Sequence, residues 1–300
     1  MGNCETSGQG NPAKESSKRA GNLKLAPFQV GDVTVGGGEL FLIAGPCVIE
    51  SEEHAIKMAE VVKGVARSLK LPFIFKASYD KANRTSIGSY RGPGIEEGLR
   101  ILKKIQQEVG VPVLTDVHEI ADVERVAEAV DVVQIPAFLC RQTDLLLKVA
   151  QTGRAVNIKK GQFVAPWDME HAVEKCLATA NSRVFVTERG ASFGYNNLVV
   201  DMRSLPILRK FAPVVFDATH SVQLPSAAKS EGGPAASGGQ PEFIPVLSRA
   251  AVAAGVDGIF MEVHDNPKAA KSDGANALDL KNLRGLLTQL LAVHRAVQVG

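Results

Sequence analysis

Residues 112–137 read PVLTDVHEIADVERVAEAVDVVQIPA, and the pattern of this stretch decides the fold. Pro112–Val117 is a short apolar run rich in β-branched residues. Ala121–Ala129 then spaces its apolar residues as a helix does, and Val132–Ala137 is a second apolar run. Continuous apolar runs, rather than strict alternation, fit parallel strands covered on both faces. The same unit recurs along the chain. Strands are predicted at Phe41–Cys47, Pro72–Ser78, Pro112–Val117, Val132–Ala137, Ala155–Lys160, Arg183–Arg189, Pro213–His220 and Gly258–His264. Helices are predicted after them, in order, at Glu52–Leu69, Ile95–Glu108, Ala121–Ala129, Thr143–Ala150, Met169–Ala180, Leu205–Lys210, Phe243–Ala254 and Leu280–Val297. Eight such units predict an α/β fold of the (β/α)8 TIM-barrel type, which closes in roughly 250 residues as one domain. No G-x-G-x-x-G follows the first strand, so a dinucleotide-binding sheet has little support.

Outside the repeat, Phe28–Val35 alternates around Gly31-Asp32 and predicts a short N-terminal β-hairpin. Residues 1–25 are rich in Gly, Ser, Lys and Asn and read as a disordered tail, leaving 26–300 as a single catalytic domain. The start Met1-Gly2-Asn3-Cys4-Glu5-Thr6 fits a loose acylation pattern, and the tail is taken as inert. Gln223–Gln240, dense in Gly, Ala, Ser and Pro, is expected to be a long loop acting as a lid.

The chain has 300 residues, 45% hydrophobic, with a net charge of +2, so no overall field favours nucleic acid or an anionic membrane. Four scattered cysteines without a CxxC suit a reducing cytoplasm, and no run approaches the ~20 apolar residues of a bilayer span.

Polar residues collect where the predicted strands end, the face of such a barrel that carries catalysis. Lys76, Lys81, Arg84, Lys159 and Arg189 would crowd one rim and repel one another unless anions neutralise them, which points to phosphate or carboxylate ligands. Some could instead pair with Asp80, Asp116 or Glu188. Cys47, His220, Glu262 and Asp273 fall at the ends of the first, seventh and eighth strands and in the loop after the eighth, which are neighbours in a closed barrel. Their donors suit Zn²⁺, Fe²⁺ or Mn²⁺. On spacing alone Cys47 reads equally as a small buried hydrophobe. Cys176 and Cys140 read as packing residues; His54, His171 and His294 as surface or interhelical; His118 and His264 as supports of the site.

The run Lys76-Ala77-Ser78-Tyr79-Asp80-Lys81-Ala82-Asn83-Arg84-Thr85-Ser86 with Tyr90-Arg91-Gly92-Pro93-Gly94 resembles the 3-deoxy-D-manno-octulosonate 8-phosphate (KDO 8-phosphate) synthases. Ala44-Gly45-Pro46-Cys47, Thr115-Asp116-Val117-His118, residues 134–143, Asp217-Ala218-Thr219-His220-Ser221 and Met261-Glu262-Val263-His264 extend the resemblance over residues 40 to 275. It implies condensation of phosphoenolpyruvate with D-arabinose 5-phosphate by a homotetramer, for lipopolysaccharide core biosynthesis. By resemblance, Lys76, Ser78, Gln134, Ala137, Lys159 and Arg189 would hold phosphoenolpyruvate. Lys81, Asn83, Asp116, Arg84 and Thr85 would hold the sugar phosphate, with Arg84 reaching toward a neighbouring subunit. Lys81, Asn83, Asp116 and His220 would serve catalysis. Cysteine at position 47, completed by His220, Glu262 and Asp273, implies the subclass that needs a divalent metal ion. The alternatives are a heptulosonate synthase using erythrose 4-phosphate, which carries Lys-Pro-Arg at the sugar loop, a sialic acid synthase, which would need a further C-terminal domain, and a non-catalytic phosphosugar-binding barrel.

Overall fold

The computed structural model describes residues 25–84, 86–228 and 236–298; Thr85, the N-terminal tail with its acylation pattern, and the tip of the 223–240 segment lie outside the described residues. The predicted hairpin is β1 (Phe28–Val30) paired antiparallel with β2 (Val33–Val35), its two-residue turn opened by Gly31 at φ +58°. Eight parallel strands follow: β3 (Phe41–Gly45), β4 (Phe73–Lys76), β5 (Val113–Asp116), β6 (Val132–Ile135), β7 (Ala155–Lys159), β8 (Val184–Glu188), β11 (Val214–Asp217) and β14 (Gly258–His264). Between these last three run the short pairs β9 (Ala191–Ser192) with β10 (Leu198–Val199), and β12 (Gln223–Ala228) with β13 (Ala236–Gly239). The barrel closes where β14 pairs with β11 on one side and β3 on the other, and β15 (Leu278–Asp279) adds to β14 outside the ring.

Helices α1 (Glu52–Ser68), α2 (Ile95–Lys104), α3 (Val123–Ala129), α4 (Thr143–Gln151), α5 (Met169–Leu177), α6 (Ser204–Leu208), α7 (Ile244–Ala253) and α8 (Leu280–Gln298) surround the ring. In α1, Ser51 caps the start by accepting the His54 N–H at 3.1 Å, Glu52 and Glu53 face the positive helix end, and Ala55, Met58, Ala59, Val62 and Ala66 form the buried stripe. The predicted helix Ile95–Glu108 widens after Lys104 into a π-turn, Ile105–Val109, which Gly110 ends in the left-handed region. None of the described helices is long and apolar enough to cross a membrane.

Alternation along each strand sorts the core into two bodies. Leu42, Ala44, Phe75, Val113, Val133, Ile135, Val156, Ile158, Val184, Val186, Val214, Phe216, Ile259 and Met261 face the helices. Phe41, Ile43, Ile74, Leu114, Val132, Ala155, Phe185, Val215 and Phe260 fill the inside, and Val30, Val33 and Val35 of the hairpin join them as a plug. Gly258 makes room for this packing, because a Cβ there would lie 2.7 Å from the Phe41 ring. Two residues further along the same inward faces the chemistry changes. Ile74 is followed by Lys76, Leu114 by Asp116, Val132 by Gln134, Ala155 by Asn157 and Lys159, Phe185 by Thr187 and Arg189, Val215 by Asp217, and Phe260 by Glu262.

Within the described residues, the two sides of the segment read as a lid loop are antiparallel strands. Gln223 faces Gly239, Leu224 faces Gly238, and Ala228 faces Ala236. Gly239 serves packing there: a Cβ on it would lie 2.7 Å from the Ala275 carbonyl oxygen, so glycine lets β13 lie against that loop. Phe185 packs edge-on to Phe41 and tilted against Phe28, each at 6.4 Å, joining plug to barrel. Phe185→Ala should therefore cost about 3–5 kcal/mol in urea unfolding; a cost under about 1 kcal/mol would mean that the inner layer is loosely packed.

Candidate active site

The polar ends of the inward faces, together with the loops above them, line a mouth of about 1830 Å³. Its walls include Lys76, Lys81, Asn83, Arg84, Asp116, Gln134, Ala137, Lys159, Arg189, His220 and Asp273. Cys47, Ser78 and Glu262 stand just behind these residues, buried. The structure thus brings together every site residue predicted from sequence except Thr85, which lies outside the described residues. Phe260 forms the floor, with the Lys159 ammonium 4.1 Å from its ring centre and that of Lys76 5.8 Å away.

Four of the five cations do not face one another bare; Lys76, Lys81, Arg84 and Lys159 each lie within 4 Å of a carboxylate, and Arg189 of none among the described residues. Lys159 donates to Asp217 at 2.6 Å. Lys76 lies 4.0 Å from Asp116 and 3.9 Å from Glu262, and Lys81 lies 3.8 Å from Glu262. Lys76 also donates to the Ser78 hydroxyl at 2.9 Å, which in turn donates a hydrogen bond to Asp116 at 2.5 Å. Arg84 lies over Asp273 of its own chain at 3.9 Å, while its Nε donates to the Tyr90 carbonyl at 3.0 Å. Arg189 donates to Gln223 of the β12 arm at 2.8 Å.

Neutralisation is nevertheless incomplete. Burial pushes Lys76 below its ordinary pKa, aided by the neighbouring Lys81, and burial likewise pushes Arg189 down. Burial also works against Lys81, yet Cys47, Glu262, Asp116 and Asp273 hold it above its usual range. Burial would raise Asp116, but Lys76, His118, Lys81 and the Ser78 hydrogen bond hold it well below the carboxylate range. An anion placed among Lys76, Lys159 and Arg189 would relieve the cost of burying them.

Cys47, Glu262 and Asp273 converge so that one ligand atom from each lies within 4.8 Å of the others. His220 Nε2, 3.5 Å from Glu262 and 3.9 Å from Asp273, stands at the edge of this cluster. Cys47 Sγ lies 3.0 Å from the Ser272 hydroxyl and 3.3 Å from Asp273. Burial, then Asp273 and Glu262, push its thiol well above the ordinary value. Both Glu262 carboxylate oxygens are buried without a hydrogen-bond donor. A buried carboxylate without donors is costly, and a divalent cation among thiolate, imidazole and two carboxylates would satisfy it. The residues present fit such an ion.

Asp217 was not singled out from sequence. Its Oδ1 accepts the Thr219 and His220 amides at 3.1 and 2.9 Å, and its Oδ2 meets His220 Nδ1 at 2.7 Å. A proton on Nδ1, held by that carboxylate, leaves Nε2 free to ligate. Burial would raise the Asp217 pKa, yet His220 and Lys159 hold it far below the carboxylate range. Of the other residues weighed from sequence, Cys140 and Cys176 are buried packing residues, His171 is exposed, and His118 sits 3.6 Å from Asp116. His54 is half-buried and stacks on His264 at 4.7 Å, so neither is a surface group.

Residues 13–299 match the DAHP synthetase I family, and the chain belongs to that family of barrel synthases. More particularly, it is 70% identical over 273 residues, 91% of this chain and 98% of the relative, to the 2-dehydro-3-deoxyphosphooctonate aldolase of Koribacter versatilis (strain Ellin345). It is 59% identical over 273 residues, 90% of this chain and 98% of the relative, to the protein of the same name from Geotalea uraniireducens (strain Rf4). To that from Dichelobacter nodosus (strain VCS1703A) it is 60% identical over 279 residues, 93% of this chain and 98% of the relative.

Asp217→Asn keeps the shape of the side chain but removes the charge that orients His220. Zn²⁺ affinity, measured by chelator competition, should fall about 10- to 100-fold. Unchanged affinity would mean that His220 is oriented by its neighbours alone.

Proposed function

We propose that this enzyme condenses phosphoenolpyruvate with D-arabinose 5-phosphate and water, giving 3-deoxy-D-manno-octulosonate 8-phosphate and inorganic phosphate, for lipopolysaccharide core biosynthesis. The observation that carries this reading is the burial of three inward cations, Lys76, Lys159 and Arg189, at one end of the barrel, beside a sugar loop reading Lys81-Ala82-Asn83-Arg84. The name shared by relatives at 56 to 70% identity, 2-dehydro-3-deoxyphosphooctonate aldolase, supports the eight-carbon product. Residues 26–300 are taken as one catalytic domain.

Two anionic substrates must be fixed so that C3 of phosphoenolpyruvate reaches the aldehyde carbon of the sugar. Lys76, Ser78, Gln134, Ala137, Lys159 and Arg189 would hold phosphoenolpyruvate deep in the mouth, above the Phe260 ring. Lys81, Asn83, Asp116, Arg84 and Thr85 would hold the sugar phosphate from above. Such positioning removes much of the entropic barrier of a two-substrate reaction. As the new C–C bond forms, negative charge develops on the aldehyde oxygen, and Lys81, kept fully protonated by its acidic neighbours, supplies a fixed positive charge there. Water then adds at C2, and the hemiketal phosphate collapses by C–O cleavage to release inorganic phosphate. A divalent ion held by Cys47, His220, Glu262 and Asp273 would supply Lewis-acid polarisation within this mouth. The β12–β13 arms, tied to Arg189 through Gln223, would limit water entry at one side.

A homotetramer accords with the apolar side chains exposed on the loops after β6, β7 and β8: Phe138, Phe163, Trp167, Phe193 and Tyr195. Light scattering should give the mass of four chains; the mass of one chain would overturn this part of the reading.

The activity test uses one chelator-stripped sample. Phosphate release from phosphoenolpyruvate should need arabinose 5-phosphate, be at least about 100-fold slower with erythrose 4-phosphate, which lacks the extra hydroxyl contact, and return with added Zn²⁺ or Mn²⁺. Preference for erythrose 4-phosphate would make the enzyme a heptulosonate synthase, and release that is indifferent to chelation would remove the metal.

A further inference from the structure

Glu50 stands outside the mouth, where none of the chemistry above uses it. Its Oε1 accepts the backbone N–H of Lys271 at 2.8 Å and contacts His264 Nε2 at 3.2 Å. Nδ1 of His264 accepts the Asn266 N–H at 2.9 Å and lies 3.3 Å from the Asp265 carboxylate, and with Nδ1 as acceptor Nε2–H donates a hydrogen bond to Glu50. Glu50 follows Cys47 by three residues, His264 follows Glu262 by two, and Lys271 precedes Asp273 by two. Three of the four segments that bear the candidate metal ligands therefore meet at one carboxylate.

The Asp273 segment needs such a hold. Asp273 has φ +47°, a left-handed conformation that aspartate adopts more readily than most residues but that its packing must still hold. The Lys271 peptide is gripped at both ends, by Glu50 at its N–H and by Arg84 at its carbonyl, at 2.9 Å. The Lys271 ammonium reaches the Glu50 carbonyl at 3.4 Å and lies 4.6 Å from the centre of the Tyr90 ring. Tyr90 in turn donates to the Ile49 carbonyl at 3.0 Å.

Glu50, His54 and His264 also bring ligand atoms within 4.8 Å of one another, but the hydrogen bonds argue against a metal there. An ion on Nε2 of His264 would require both ring nitrogens to lack a proton while Nδ1 still accepts from Asn266. The ammonium of Lys57, 2.8 Å from Asp265, already supplies positive charge at this corner.

We propose that Glu50 is a positioning residue for the metal site: it holds the Asp273 loop and the end of β14 against the Cys47 segment, and so presets the spacing of Cys47, Glu262 and Asp273. This inference rests on the metal reading given above. Its test is Co²⁺ binding to the chelator-stripped full chain, followed by the thiolate-to-cobalt absorption band and by competition with a chromophoric chelator. Glu50→Ala should weaken Co²⁺ binding by about tenfold or more, within the range seen when partners of metal ligands are removed. The melting temperature of the metal-free chain should change little. Glu50→Gln, which keeps an oxygen acceptor for the Lys271 amide, should recover most of the affinity. Co²⁺ bound as tightly by Glu50→Ala as by the wild type would overturn the proposal. So would a loss in both variants that only follows a fall in the metal-free melting temperature. A wild-type chain showing no thiolate band would instead overturn the metal reading, and this inference with it.

Discussion

The inward side chains of a closed eight-stranded barrel share one narrow column of space, and Phe260 divides that column here. Below it lie Phe41, Ile43, Phe185 and the valines of the N-terminal hairpin, dry and packed against one another. Above it every strand but β3 turns polar within two residues, because that end of the column opens to the mouth. The division is forced by the cost of burying charge. An ammonium among the lower phenylalanines would have no partner, whereas at the upper level Lys76 meets Asp116 and Glu262, and Lys159 meets Asp217, across the barrel mouth. The inward polar groups Lys76, Asp116, Gln134, Lys159, Asp217 and Glu262 therefore share one layer set by the strands, while Cys47, Lys81, Arg84, His220 and Asp273 reach it from the loops that follow.

That layer is balanced in pairs but not as a whole. Asp217 serves Lys159 and His220 together, Asp116 serves Lys76 through Ser78, and Glu262 lies within 4 Å of Lys76, Lys81 and His220. Glu262 nonetheless keeps two buried oxygens without donors, while Lys76 and Arg189 carry an uncompensated burial cost. The first strain calls for a cation and the second for anions. On the reading proposed above, one layer would hold a metal ion and the substrates side by side, with Asp217 and Glu50 tying the proposed ligands to the scaffold.

The barrel was legible because its strands are uninterrupted apolar runs and its helices keep a 3.6-residue period, so observed and predicted boundaries differ by only a few residues. Cys47, Lys76, Lys159, Arg189, His220 and Glu262 were legible because they end those runs. Asp217 was not, since within Asp217-Ala218-Thr219-His220 nothing marks which residue ligates and which orients. Glu50 was invisible for another reason: its partners lie 214 and 221 residues away, and no local pattern announces contacts of that range. The arms β12 and β13 were read as loop because glycine, normally a turn residue, serves at Gly239 for close approach to Ala275 and Asn276. The bare crowding of cations was overestimated because carboxylates from other strands could not be placed among them from sequence.

The measurement that tests this account most directly is anomalous diffraction at the zinc edge from crystals soaked in Zn²⁺. The account predicts one strong peak bounded by Cys47 Sγ, His220 Nε2 and the Glu262 and Asp273 carboxylates, with bonds of roughly 2.0–2.3 Å. A peak instead among Glu50, His54 and His264, or none within the barrel mouth, would contradict it.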